Sequence, residues 1–232
     1  MRVISRKAIG EYGKIYADSV PSLSNWLDIA RKAAWRNFTE LRADFGSADQ
    51  VGRRTVFNIG GNKYRLVARV NFRTQRIFIL RDHEAHRIRE RGMEIMPVRA
   101  RRKAVDPEIY ARLVAASLPI PPRNESDNER LVALLTSMDE RADLTPEQEI
   151  FAELLAIVVE DFEDKHYALP AVPAHEALKS LMEDRGLRHK DVWPVVGNKG
   201  LTSEILAGRR KISSAVAKRL AAHLHVPLEL FV

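Results

Sequence analysis

Two clusters of side chains in this sequence have types and spacing suited to chemistry on polyanions. The first lies in residues 63–72, KYRLVARVNF, where residue type alternates with period two. Lys63, Arg65, Val67, Arg69 and Asn71 fall on one side of an extended strand, and Tyr64, Leu66, Ala68, Val70 and Phe72 on the other. A row of cations backed by an apolar face can hold RNA phosphates, and Lys63, Arg65 and Arg69 are the candidates. The same pattern also describes a solvated sheet face. The second cluster lies in residues 187–213, LRHKDVWPVVGNKGLTSEILAGRRKIS. Gly197 supplies a tight turn and Asn198 a helix cap, with Lys199, Gly200, Thr202 and Ser203 pointing outward near the new helix's N-terminus. That is where the second helix of a helix-turn-helix meets base edges in the major groove. Arg209, Arg210 and Lys211 follow and can reach phosphates. His83-Glu84-Ala85-His86 resembles a metal cluster but lacks a further ligand set, so no metal or other cofactor is expected.

The elements that must position these residues differ between the two halves of the chain. Ser5 can cap a helix with Ala8, Ile9, Tyr12, Ile15 and Tyr16 on one face. A second helix follows Pro21, with Leu23, Trp26, Leu27, Ala30, Ala33 and Ala34 at helical spacing. The period then changes to two. Residues 55–59 and 63–72 read as strands joined by a Gly60-Gly61-Asn62 turn, and residues 76–80 as a third strand. Two helices followed by an antiparallel sheet make an α+β domain, placed at residues 1–92. A basic linker occupies 93–105. From Asp106 onward the pattern is all-α. Asp106-Pro107 and Thr145-Pro146 are start signals, and Leu131, Leu134, Leu135 and Met138 mark another helix. Beyond Pro170 and Pro173 the chain reads as five short helices, with Val192, Trp193 and Val196 as the buried side of the first helix of the motif.

Charge divides the chain along the same lines. The formal total of +7 comes from 232 residues with 38 Lys+Arg and 31 Asp+Glu. Residues 1–105 hold 23 Lys+Arg against 10 Asp+Glu, residues 106–170 hold 5 against 15, and residues 171–232 hold 10 against 6. Two basic blocks flank an acidic one that can cover one of them. The absence of Cys excludes a disulfide scaffold, thiolate zinc sites and a Cys nucleophile. No apolar run suits a membrane span and no secretory signal opens the sequence, so a cytoplasmic location is expected.

Residues 106–232 resemble the HigA antitoxins of the phage-repressor (Xre-like) helix-turn-helix family. The resemblance is carried by DPEIY, LTPEQE, LLAIVVEDFE, LMEDRGL, VVGNKGLTSEILAGRRKIS and LAAHLHVPLELF. Residues 1–81 resemble the HigB toxins, a branch of the RelE-like ribonucleases, in ISRKA, the Trp26/Trp35 pair, SADQV and above all VFNIGGNKYRLVARVNF. These resemblances imply a toxin fused to its antitoxin. The toxin half would cleave mRNA on the ribosome without metal, by attack of the RNA 2′-hydroxyl on the adjacent phosphate. Lys63 and Arg65 would stabilise charge, with Arg81 and His83 completing the catalytic set. The acidic helices of 106–170 would neutralise that half, and residues 171–232 would bind operator DNA as a homodimer through Asn198, Lys199, Thr202, Ser203, Arg209, Arg210 and Lys211. The segment from Arg81 to Arg87 departs from the toxin pattern, with His86 and Arg87 where Tyr and Asp are usual. A DNA-binding repressor carrying a degenerate, inactive toxin-like module is the alternative.

Overall fold

The computed structural model describes residues 1–80, 105–141 and 143–232. The N-terminal part is α+β. Its elements are β1 (Arg2–Ile4), α1 (Lys7–Ile15), α2 (Val20–Lys32), α3 (Phe38–Asp44), β2 (Asp49–Val51), β3 (Arg54–Ile59), β4 (Tyr64–Asn71) and β5 (Arg76–Ile79). The sheet order is β1-β5-β4-β3-β2, antiparallel except where β1 runs parallel to β5. The β3–β4 turn relies on three consecutive positive φ angles at Gly60, Gly61 and Asn62, which two glycines and an asparagine accept at low cost.

The period-two reading of 63–72 holds in the sheet. Leu66 and Ala68 face a core shared with Val3, Phe57, Ile59, Ile77 and Ile79, closed by Leu23, Trp26, Leu27 and Ala30 of α2. The opposite face is also covered at one end. Ile4 and Phe78 enter a second core made by later helices, where each contributes about 1.5–3 kcal/mol by burial.

Those later helices are α4 (Pro107–Ser117), α5 (Glu125–Asp139), α6 (Pro146–His166), α7 (Ala174–Asp184), α8 (His189–Val196), α9 (Lys199–Leu206) and α10 (Ser214–Leu224), ending in a 3-10 turn at Leu228–Phe231. The start signals act as expected. Asp106 accepts from the N–H groups of Glu108 and Ile109, and Thr145 with Gln148 forms a reciprocal capping box. Helices α5 and α6 supply Leu131, Leu135, Met138, Phe151, Leu155 and Val159 to the second core beneath Ile4 and Phe78. Helix α7 packs along α2, where Asn25 donates to the Ala177 carbonyl at 2.9 Å. Among the described residues no helix is long and apolar enough to cross a membrane.

One strand is added and three local expectations are corrected. Val3-Ile4 is a sheet strand, because β5 offers it a parallel partner 74 residues further on, with Val3 opposite Ile77. Ser5 does not cap α1: its φ is +66°, and its N–H donates 3.0 Å to a Glu163 carboxylate oxygen of α6. The buried side of α1 is Ile9, Gly10 and Gly13, with Tyr167 and Leu169 running close past the two glycines, so Ile15 and Tyr16 face out. Trp193 also faces out, at 36% exposure, because the inward stripe of α8 is the i,i+4 pair Val192 and Val196.

Candidate nucleic-acid interface

The strand face that carries the predicted cations is divided by its cover. Lys63 stands at the start of β4 with its side chain 64% exposed, its Nζ 3.5 Å from an Asp18 carboxylate oxygen. Arg65 is exposed, and its Nη1 donates to the Asn62 carbonyl at 3.3 Å. Arg69 is not open. Its guanidinium lies 5.0 Å from the centre of the Phe78 ring, and Nη1 donates 2.6 Å to Glu140 at the end of α5. Nε and Nη2 of Arg69 are buried with no hydrogen-bond partner. Arg81 and His83, and the linker residues 93–104, lie outside the described residues.

Tyr64, on the apolar side of the strand by alternation, is half-buried at the margin of the sheet. Its hydroxyl donates to Asp18, at 2.8 and 3.0 Å from the two carboxylate oxygens. That hydrogen bond pushes the Tyr64 phenol up to about 12 and holds the Asp18 carboxyl below its ordinary value. The ring meets Tyr12 and Tyr16, with centroids 5.5 and 5.8 Å away.

The covered end of the face is an acid-on-base contact. Asp139 closes α5 and lies over the paired ends of β4 and β5. It accepts from Asn71 Nδ2 at 2.7 Å, Thr74 Oγ at 2.7 Å and Arg76 Nη1 at 3.2 Å. The Arg76 and Asp139 side chains are 4% and 0% exposed. Arg76 also pairs with Glu153 at 3.0 Å, and Arg73 with Glu149 at 2.8 Å. Around β1 and α1, Arg2 meets Glu153, Arg6 meets Asp164 and Glu163, Lys7 meets Glu125, and Arg31 meets Asp164. Glu163 is buried, and desolvation pushes its carboxyl up to about 7 against the opposing pull of Arg6. Sequence reasoning passed over Arg2, Arg6, Arg73 and Arg76. A signal existed for Arg76, which shares its strand face with Phe78 and, by sheet register, with Arg69.

The second cluster sits on α8 and α9. Gly197 joins them at φ +141°, and the Asn198 side chain accepts from Leu201 N–H at 2.8 Å. Asn198, Lys199 and Ser203 are exposed, as are Arg209, Arg210 and Lys211. Ser203 Oγ is 3.1 Å from His189 Nε2, and Arg210 approaches Glu204 at 3.5 Å. Thr202 requires correction. It is fully buried, with its hydroxyl donating to the Asn198 carbonyl at 2.8 Å, because it shares an i,i+3 inward stripe with Ile205. It is unavailable to a base edge. Among the described residues, no group of three or more His, Asp or Glu side chains is placed to hold a metal ion.

The comparison with protein families bears on the first cluster. Residues 19–84 match the HigB toxin family, described as the RelE-like toxic component of a toxin-antitoxin system. The match takes in α2, α3 and strands β2 to β5, and therefore Lys63, Arg65 and Arg69. It covers less than a third of the chain and ends before the acidic helices begin. No curated protein matches the chain.

Proposed function

We propose that this chain joins a HigB-type, RNA-cleaving toxin unit to a HigA-type antitoxin unit that neutralises it and binds operator DNA. In the toxin unit, Lys63 and Arg65 stabilise charge on the phosphoryl oxygens while the 2′-hydroxyl of RNA attacks the adjacent phosphate. Arg81 adds a further cation and His83 moves the proton. One observation carries the neutralisation step: the acidic helices α5 and α6 lie against the cationic strand face, with Asp139 inserted beside Arg76 and Glu140 over Arg69. A tethered inhibitor acts at high effective concentration, so the intact chain is inactive as a nuclease. For operator binding, support comes from the geometry of α8 and α9. The exposed Lys199 and Ser203 sit in the first turns of α9, and Arg209 to Lys211 follow it. Two copies bind half-sites one DNA turn apart.

Expression of residues 1–92 alone tests the reading. It arrests growth, and co-expression of residues 104–232 relieves the arrest. Purified intact protein that cleaves mRNA in a translation extract without proteolysis overturns it. A second reading, a repressor with an inactive toxin-like module, is favoured by the continuous core that α2 and the β-sheet share with α7 and α10. Harmless expression of residues 1–92 selects that reading.

A further inference from the structure

Helix α7 belongs to the segment assigned to DNA binding, yet it packs on the toxin-like unit, on the side of the sheet opposite α5 and α6. The buried hydroxyls of Ser22 and Ser180 hydrogen-bond at 2.5 Å. Beyond them, Asp184 at the end of α7 reaches the β3–β4 turn and accepts from the Gly61 N–H at 2.9 Å. A Cβ on Gly61 would stand 3.6 Å from the Glu183 carbonyl oxygen, so the turn and the helix end touch. Local preference opposes an acid here. Helix C-termini favour cations, and the last turn of α7 has no basic residue and ends in Glu183 and Asp184. Burial pushes the Asp184 carboxyl up, while hydrogen bonds from Gly61, Ser22 and Gly60 pull the other way. The place of this carboxylate is set by the turn and not by its own helix.

Turn geometry accounts for the attraction. Successive backbone N–H groups of a tight turn form a concavity that favours an anion, and Gly60 and Gly61 stand at φ +62° and +59°. An anion is what the structure holds there. Asp184 also lines a cavity of about 330 Å³ with Ser22, Asn58, Ile59 and Arg185, so a group larger than a carboxylate has room beside it. The same turn leads into the strand proposed to face RNA. Arg65 is exposed and donates back to the Asn62 carbonyl of the turn at 3.3 Å.

We propose that the Gly60 and Gly61 N–H groups, with the Ser22 hydroxyl, form an oxyanion site for a phosphate group of RNA, and that Asp184 fills it in the intact chain as a tethered stand-in. Helix α7 then blocks the toxin-like unit at a second place, independent of the acidic helices. The proposal rests on the RNA-directed reading above and adds a phosphate subsite and its regulation.

The test uses the full chain, with inorganic phosphate as the probe against chloride at matched ionic strength, read by calorimetry and Tm. Asp184→Ala binds phosphate saturably and at least about tenfold tighter than wild type, where the tethered carboxylate competes. Its Tm rises with phosphate while that of wild type does not. Asp184→Asn shows no such gain, although it removes the same charge, because the amide still fills the turn. Asp184→Ala also gains affinity for a labelled single-stranded RNA about ten nucleotides long, read by anisotropy. A gain for phosphate without one for RNA leaves an oxyanion site that serves free anions and overturns RNA as its ligand. An Asp184→Ala protein that binds no phosphate, or that is unfolded and does not refold with it, overturns the site; the growth-arrest test of residues 1–92 judges the RNA reading separately.

Discussion

Removal of the Asp139 carboxylate is the sharpest perturbation of the contact between the acidic helices and the sheet. In Asp139→Ala, Arg76 stays 3% exposed and keeps only Glu153, Thr74 loses its acceptor, and Asn71 keeps only the longer bond to the Asp139 backbone carbonyl at 3.3 Å. Breaking a buried ion pair from one side costs about 3–5 kcal/mol, because the remaining charge is left desolvated. For a chain of this size that corresponds to roughly 6–20 °C in Tm. Thermal unfolding of the intact protein, followed by circular dichroism, measures it. Two controls locate the effect. Glu140→Ala removes the half-exposed partner of Arg69 and costs less than Asp139→Ala, because Glu140 is open to solvent where Asp139 is not. Adding Arg76→Met to Asp139→Ala recovers most of the loss, since no unpaired charge then remains in the contact. An Asp139→Ala protein within about 1 kcal/mol of wild type, or an Arg76→Met addition that rescues nothing, refutes the assignment of this pair as the centre of the contact.

Glu163 makes the same contact pH-dependent. Its folded value near 7 lies above the ordinary 4.5, so its contribution is fully present below 4.5 and is lost as pH rises through 7. The difference is worth roughly 3 kcal/mol, and Glu163→Gln removes that slope in urea unfolding at pH 5 and pH 7.5. Operator selection followed by titration separates two further residues. Arg209→Ala weakens DNA binding across all sequences and flattens its salt dependence, whereas Ser203→Ala changes the preferred sequence. Gly197→Ala forces an L side chain to φ +141° with no clash to relieve. It lowers stability by about 1–3 kcal/mol, read by Tm, and weakens operator binding.

Much of the architecture is readable from local pattern. Strand β4 follows directly from the alternation of 64–71, and the starts of α4, α6 and α9 follow from Asp106, Thr145 and Asn198, because caps act on backbone groups within a few residues. What covers a face is not local. Alternation assigns Arg69 to the side opposite Leu66, but only the return of α5 from far along the chain decides that Glu140 lies over it. The left-handed backbone of Ser5 has the same origin, since its N–H is taken by Glu163 rather than by a helix start. At the α8–α9 site, Trp193 and Thr202 were assigned to the wrong sides for opposite reasons. Apolar character suggested burial of Trp193, although Val192 and Val196 already fill the inward stripe. Polarity suggested exposure of Thr202, although its hydroxyl is satisfied by a carbonyl within its own helix turn.

The order of units along the chain adds a schedule to the packing of α6 against β1 and β5. Strand β5 ends at Ile79, and α6 is complete only at His166. At synthesis rates of about 5–20 residues per second, the ribosome needs roughly 4–17 s to make the intervening segment. For those seconds the sheet has all its strands, while Arg69, Phe78 and Arg76 have no helix over them. On the proposed reading, each new molecule passes through one unguarded interval, and does so attached to a ribosome, where its substrate is translated. The cell's exposure to the bare face then scales with the rate of synthesis rather than with the amount of finished protein.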